Sequence, residues 1–175
     1  MIDPFGRAIR YVRISVTDRC NLRCSYCMPD GYLGGETPDS ILSYEEIGTI
    51  AEALVGLGVR KFRLTGGEPL VRKDLPTLVA RLAALPGVED LALSTNAVLL
   101  RPHAVALRAA GLKRVNVSLD TLDPDSFKKI SVNASLEQVF DGIAAAEEAG
   151  LTPIKLNMVV MKGINDMEIE AMARL

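Results

Sequence analysis

The sequence predicts an α/β fold, a partial (β/α) TIM-like barrel with about five βα units present, in one domain over residues 1–175. Three observations predict it. Stretches with period-two, β-branched patterning alternate with stretches at helical spacing, the pattern of a parallel sheet with crossover helices. Right-handed crossovers that keep turning one way curl such a sheet toward a barrel. A complete eight-unit barrel takes roughly 250 residues, so 175 residues make an arc. A doubly wound open sheet is the alternative, and no G-x-G-x-x-G follows the first strand to favour its dinucleotide-binding version.

Tyr11–Val16 alternates and reads as the first strand. A cysteine-bearing loop follows, then a Gly/Pro-rich connection through Gly34-Gly35 and Thr37-Pro38. Ser43 and Glu46 form a capping-box signal. They open a helix with Ile47, Ile50, Leu54 and Leu57 at helical spacing, stopped by Gly58. Lys61–Thr65 is the second strand, followed by Gly66-Gly67-Glu68-Pro69 and a helix from about Lys73 to Ala84. Leu91–Thr95 is the third strand, with a helix over Arg101–Ala110 ended by Gly111. Arg114–Leu119 is the fourth, followed by a short helix near Pro124–Ile130 and a longer one over Leu136–Ala149, closed by Gly150. Lys155–Met161 is the fifth strand, and Asp166 caps a last helix reaching Leu175.

Each strand is two-faced. Val12/Ile14/Val16, Phe62/Leu64, Leu91/Leu93, Val115/Val117/Leu119 and Leu156/Met158/Val160 form apolar sets that face the helices. The alternate positions are polar: Arg13/Ser15, Lys61/Arg63/Thr65, Ser94/Asn96, Asn116/Ser118/Asp120 and Lys155/Asn157. Buried parallel strands usually read as near-continuous apolar runs, so a polar face carrying cations predicts a wet cavity. An antiparallel sheet with one solvated face is the plainer reading, and the intervening helices weigh against it.

Hydrophobic residues at 49% indicate a globular chain, and a formal net charge of −2 gives no global basic surface for duplex nucleic acid. No apolar run reaches membrane-spanning length and no secretory h-region opens the chain, so the expected location is cytoplasmic.

The three cysteines, Cys20, Cys24 and Cys27, stand at CxxxCxxC spacing within eight residues. Soft thiolates so close suit zinc, Cu(I) or an iron–sulfur centre. Structural zinc wants four protein ligands, the sole histidine, His103, lies far off on an expected exposed helix, and a disulfide leaves one cysteine over. A [4Fe–4S] cluster normally takes four cysteines, so three leave one iron open to another ligand. Zinc and plain surface thiols remain the alternatives. Gly66-Gly67-Glu68-Pro69 is either a strand–helix turn with a capping glutamate or a turn that lets a ligand approach the backbone. Arg13, Arg63 and Lys155 on one face call for an anion, since guanidinium forks and ammonium groups suit phosphates.

CxxxCxxC with Tyr26 before the last cysteine resembles the signature of the radical S-adenosylmethionine (SAM) family. The stretches SVTDRCNLRCSYCMP, RLTGGEPLVRKDL and VNVSLDTLDP are similar to the branch that cyclises GTP at the start of molybdenum cofactor biosynthesis. The resemblance implies a partial barrel of the radical SAM type. It implies a [4Fe–4S] cluster on Cys20, Cys24 and Cys27 that reductively cleaves SAM to a 5′-deoxyadenosyl radical. It places SAM against Tyr26, Gly67, Glu68 and Ser118, and GTP against Arg13, Arg63, Ser94 and Lys155. Implied partners are GTP and an electron donor protein. A homodimer is expected from the exposed edge of the fifth strand; no nucleic acid or membrane partner is expected. The chain departs from the family at Ala97, where glycine is usual, and at Ser131-Val132-Asn133-Ala134. The family continues for about as long again, like a further domain, with a second three-cysteine cluster. The chain therefore reads as a fragment or a truncated relative. An inactive SAM- and cluster-binding module, or a radical SAM enzyme for another substrate, are the alternatives.

Overall fold

The computed structural model describes residues 2–27 and 40–175. The Gly/Pro-rich connection and Met28-Pro29 lie outside the described residues. Five strands form one parallel sheet: β1 (Tyr11–Ser15), β3 (Lys61–Thr65), β4 (Asp90–Thr95), β5 (Arg114–Ser118) and β7 (Lys155–Asn157), side by side in chain order. A doubly wound sheet reverses its strand order at a switch point; this one does not, and no strand of it is antiparallel. The arc of βα units expected from the sequence is therefore the architecture. A second, two-stranded antiparallel sheet pairs β2 (Arg23–Cys24) with β6 (Ser131–Val132).

The apolar alternates form the core. Phe62, Leu64, Leu91, Leu93, Val115 and Val117 are each at most 1% exposed. Helix α1 (Tyr44–Gly56) starts with a complete capping box, Glu46 N–H donating to Ser43 Oγ (3.2 Å) and Ser43 N–H to Glu46 Oε2 (2.7 Å). Its packed face runs through Ile47, Gly48 and Ala51, with Tyr44, Leu54 and Val55 beside them. Ile50 and Leu57, expected on that face, are exposed instead, because Gly48 and Ala51 supply the close contact with the neighbouring helix. Helix α2 (Leu75–Ala83) buries Leu75, Leu78, Val79 and Leu82, after a 3-10 turn over Pro69–Val71.

Helix α3 (Ala104–Ala109) is shorter than expected. Ala97 takes a positive φ of 63° and tight turns follow, with Leu100 N–H on Ala97 O and His103 N–H on Leu100 O. Helix α4 (Pro124–Ile130) and helix α5 (Leu136–Glu148) stand where the patterning put them. Strand β7 stops at Asn157 rather than Met161, because Asp120 Oδ1 takes the Val159 N–H (2.8 Å) out of the ladder. Met158 and Val160 therefore do not continue its apolar face, and Val160 is half exposed. The last helix, α6 (Ile169–Arg174), follows a 3-10 turn over Asp166–Glu168. Asp166 does not cap it; its Oδ1 accepts from Gly163 N–H (2.8 Å) in the preceding turn.

Candidate functional site

Parallel strands carry their ligand-facing loops at their C-terminal ends, and here those loops are tied together by backbone. Beyond β1 and β3 the chain keeps pairing: Val16 N–H donates to Thr65 O, Gly67 N–H to Thr17 O and Glu68 N–H to Arg19 O, each at 2.8 Å. Only glycine fits this approach, since a Cβ on Gly67 would stand 2.3 Å from Arg19 O and one on Gly66 2.5 Å from Thr17 O. The turn spends the Gly67 N–H internally and leaves its carbonyl as an acceptor.

Glu68 locks the turn in place. It is 1% exposed, and its carboxylate accepts from Leu70 N–H (3.1 Å), Thr95 Oγ1–H (2.8 Å) and Asn96 N–H (2.7 Å). Burial pushes its carboxyl above the usual range, and the three donors pull it part of the way back. With both oxygens engaged, Glu68 shapes the rim and caps the 3-10 turn. Asn96, held by that carboxylate, donates through Nδ2 to Asn21 Oδ1 (2.9 Å), beside Cys20 Sγ (3.9 Å).

The cysteine loop is held on two sides. Cys24 pairs with Ser131 across β2 and β6, Ser25 N–H donates to Ile130 O (2.9 Å), and Cys24 Sγ lies 3.3 Å from Ser131 Oγ. Tyr26 Oη–H donates to Asp120 Oδ2 (2.7 Å). Burial, then that carboxylate, pushes the phenol well above its ordinary value. Burial likewise raises the Cys20 and Cys24 thiols, while Leu22 N–H (3.4 Å from Cys20 Sγ) acts against it. Cys27 is exposed.

All three cysteines, Tyr26, Gly67, Glu68, Ser118, Arg13, Arg63 and Ser94 line one cavity of about 290 Å³. Lys155 does not line it; it is the register partner of Asn116, which does. Among the described residues no three His, Cys, Asp or Glu side chains gather round one point as a single metal ion requires. Structural zinc takes four protein ligands, whereas the cavity lining offers three thiolates; three soft sulfurs fit an iron–sulfur cluster with one iron left for another ligand.

Below the cysteines lies the cationic face. Arg13 is paired in register with Arg63, Arg63 with Ala92, and Ala92 with Arg114. The Arg63 guanidinium stacks over Tyr11 at 5.4 Å, and its buried Nε has no hydrogen-bond partner among the described residues. Arg114, which the sequence reading passed over, is committed to Asp90 (2.6 Å) and to Asn116 Oδ1 (3.0 Å). Its signal was present, since Arg114 continues the Asn116/Ser118/Asp120 alternation. Asp120 itself, 5% exposed, was read only as a polar-face residue and proves to clamp Tyr26 to Val159. His103 lies just before α3, away from the cavity lining.

A family profile described as "Radical SAM superfamily" matches residues 14–175. The chain is 53% identical over 175 residues to the GTP 3′,8-cyclase of Petrotoga mobilis, covering 100% of this chain and 54% of that protein. Identity to the GTP 3′,8-cyclase of Geobacter sulfurreducens is also 53%, with the same coverage. The chain thus spans about half the length of the curated relatives it matches. Among solved structures it is similar to the [FeFe]-hydrogenase maturase HydG from Carboxydothermus hydrogenoformans, with TM-score 0.68 at 16% identity over 83% of this chain and 35% of that one. For methylornithine synthase (PylB) the TM-score is 0.64 at 21% identity, over 91% of this chain and 47% of that one. These two likenesses show a shared fold.

Proposed function

The chain belongs to the radical SAM superfamily, and on that premise we propose that it carries the cluster- and SAM-binding part of a GTP 3′,8-cyclase. The observation that carries this reading is one cavity shared by three cysteines, a glycine turn with no Cβ in the way, and a cationic strand face. Cys20, Cys24 and Cys27 hold a [4Fe–4S] cluster, and the missing fourth cysteine leaves an iron for SAM. When bound and reduced, the cluster supplies the electron that splits SAM into methionine and a 5′-deoxyadenosyl radical, which takes hydrogen from substrate. The Gly67 carbonyl accepts from the SAM amino group, Ser118 and the Tyr26 backbone hold its nucleoside end, and Glu68 keeps the turn from moving. Arg13, Arg63 and Ser94 take the triphosphate of GTP from the cavity wall and Lys155 adds charge from the strand beyond it, the buried Arg63 Nε being a donor without an acceptor among the described residues. Residues 1–175 act as one domain. An electron donor protein and a homodimer belong to the same reading, as does a cytoplasmic location. No helix among the described residues is long and apolar enough to cross a membrane.

Anaerobic reconstitution tests it. The expected yield is about four iron and four sulfide per chain, lost in Cys24→Ala. SAM and dithionite should then give 5′-deoxyadenosine, and the cluster reading fails if stoichiometric zinc without sulfide is found instead. GTP is tested by calorimetry, where Arg63→Ala should weaken binding; no binding by the wild-type chain removes GTP from the reading, and equal binding by both proteins removes Arg63 from the site.

A further inference from the structure

We infer that Ser131 donates a hydrogen bond to the Cys24 thiolate and, through it, raises the reduction potential of the cluster. The inference rests on the cluster reading above. Ser131 is 3% exposed, and its Oγ lies 3.3 Å from Cys24 Sγ with no other hydrogen-bond partner among the described residues. Backbone holds that distance. Cys24 and Ser131 face each other in the β2–β6 pair, Ser25 N–H binds Ile130 O at 2.9 Å, and Ser131 N–H caps α4 on Phe127 O.

Chemistry fixes the direction of the bond. A thiol and a hydroxyl can each donate, but an iron-bound thiolate has no proton, so its sulfur can only accept. The Ser131 hydroxyl must then be the donor. Reduction adds one electron, part of whose charge falls on the cysteine sulfurs. A bond to sulfur is therefore stronger in the reduced cluster, which draws the equilibrium toward reduction. Of the other sulfurs, Cys20 has a backbone donor, Leu22 N–H at 3.4 Å, and the long Asn96 contact at 3.9 Å. At 3.3 Å the Ser131 bond is shorter than the Asn96 contact, and the Tyr26 hydroxyl, which also acts on Cys24, is spent on Asp120 at 2.7 Å.

The test compares the reconstituted full chain with Ser131→Ala and Ser131→Thr. Iron and sulfide are assayed first; a wild-type chain without sulfide would overturn the cluster reading itself. Each protein is then titrated with dithionite while the reduced cluster is followed by electron paramagnetic resonance. Ser131→Ala should move the reduced-to-oxidised ratio about tenfold toward oxidised at any fixed potential, about 59 mV for one electron. Ser131→Thr should restore it. Pulsed resonance in H₂O and D₂O should show an exchangeable proton coupled to the reduced cluster in wild type and Ser131→Thr, missing from Ser131→Ala. Should Ser131→Ala fail to hold the cluster, wild type and Ser131→Thr decide: each must show the exchangeable proton coupled to its reduced cluster, and its absence overturns the assignment. Unchanged midpoints, or the same coupled proton with the hydroxyl removed, would overturn the assignment.

Discussion

A carboxylate that is 1% exposed must find donors, and Glu68 finds three, on Leu70, Thr95 and Asn96. Removing it strands those donors in a dry place, at about 1–3 kcal/mol for each one left unsatisfied. Because the cost of burying the carboxyl itself disappears with the side chain, part of that loss is offset, and Glu68→Ala should lower the stability of the metal-free chain by about 2–4 kcal/mol, read from urea unfolding. Its raised carboxyl fixes the sign of the pH dependence. The native state holds the proton more tightly than the unfolded chain, so the contribution is complete below the ordinary glutamate value of about 4.3. It is lost as pH rises through the folded value. The stability of wild type relative to Glu68→Gln should fall from about pH 4.3 upward, and a rising difference would contradict the burial argument. The Glu68 cap was visible in the sequence as the plain reading of a strand–helix turn. The Asp120 clamp was not, because its partners Tyr26 and Val159 lie 94 and 39 residues away and nothing local announces them. Tyr26→Phe should speed iron loss to a chelator by roughly twofold to tenfold, the range set by one net hydrogen bond.

Helix packing puts propensity and sterics in opposition at two glycines. On an isolated helix Gly→Ala gains about 1 kcal/mol. A Cβ on Gly142 of α5 would stand 2.1 Å from the Ala97 carbonyl, a backbone atom in a buried turn that has nowhere to go. One on Gly48 of α1 would meet the Arg81 side chain at 2.4 Å, and that chain can swing outward. The swing costs only its exposed ion pair with Glu45 (3.1 Å), about 0–1 kcal/mol. Gly142→Ala should therefore destabilise by about 1–3 kcal/mol, whereas Gly48→Ala should be neutral within roughly 1 kcal/mol; thermal unfolding of both variants separates the cases. The Ser43–Glu46 box and the Lys61–Thr65 alternation were legible because their signals are local, whereas Asp166 spends its carboxylate on Gly163 N–H instead of capping the last helix. The end of β7 was not legible, since a side chain arriving from Asp120 overrides the apolar alternation of Met158 and Val160.

At the scale of the molecule, period-two patterning disclosed the polar face, while the rows across it needed the strand register. That register sets Arg13, Arg63 and Arg114 in one line with Ala92 between the last two, and Asp90 neutralises only Arg114. The result is a concentrated positive face on a chain of net charge −2. Arg63 carries the strain of that arrangement, because among the described residues its buried Nε lacks an acceptor and its guanidinium meets the Tyr11 ring at 5.4 Å. An unsatisfied buried donor costs about 1–3 kcal/mol, and a cation–π contact near the surface returns about 0.5–1 kcal/mol. On that balance Arg63 weakens the ligand-free fold. Arg63→Met, similar in length and apolar, should raise ligand-free stability by about 1 kcal/mol in urea unfolding. The same variant should lose most of the melting-temperature gain that tripolyphosphate gives wild type, and the wild-type gain should itself shrink as salt is raised, since exposed charges such as Arg13 are screened. A less stable Arg63→Met with its tripolyphosphate response intact would make Arg63 a structural residue and move the anion site elsewhere on the sheet.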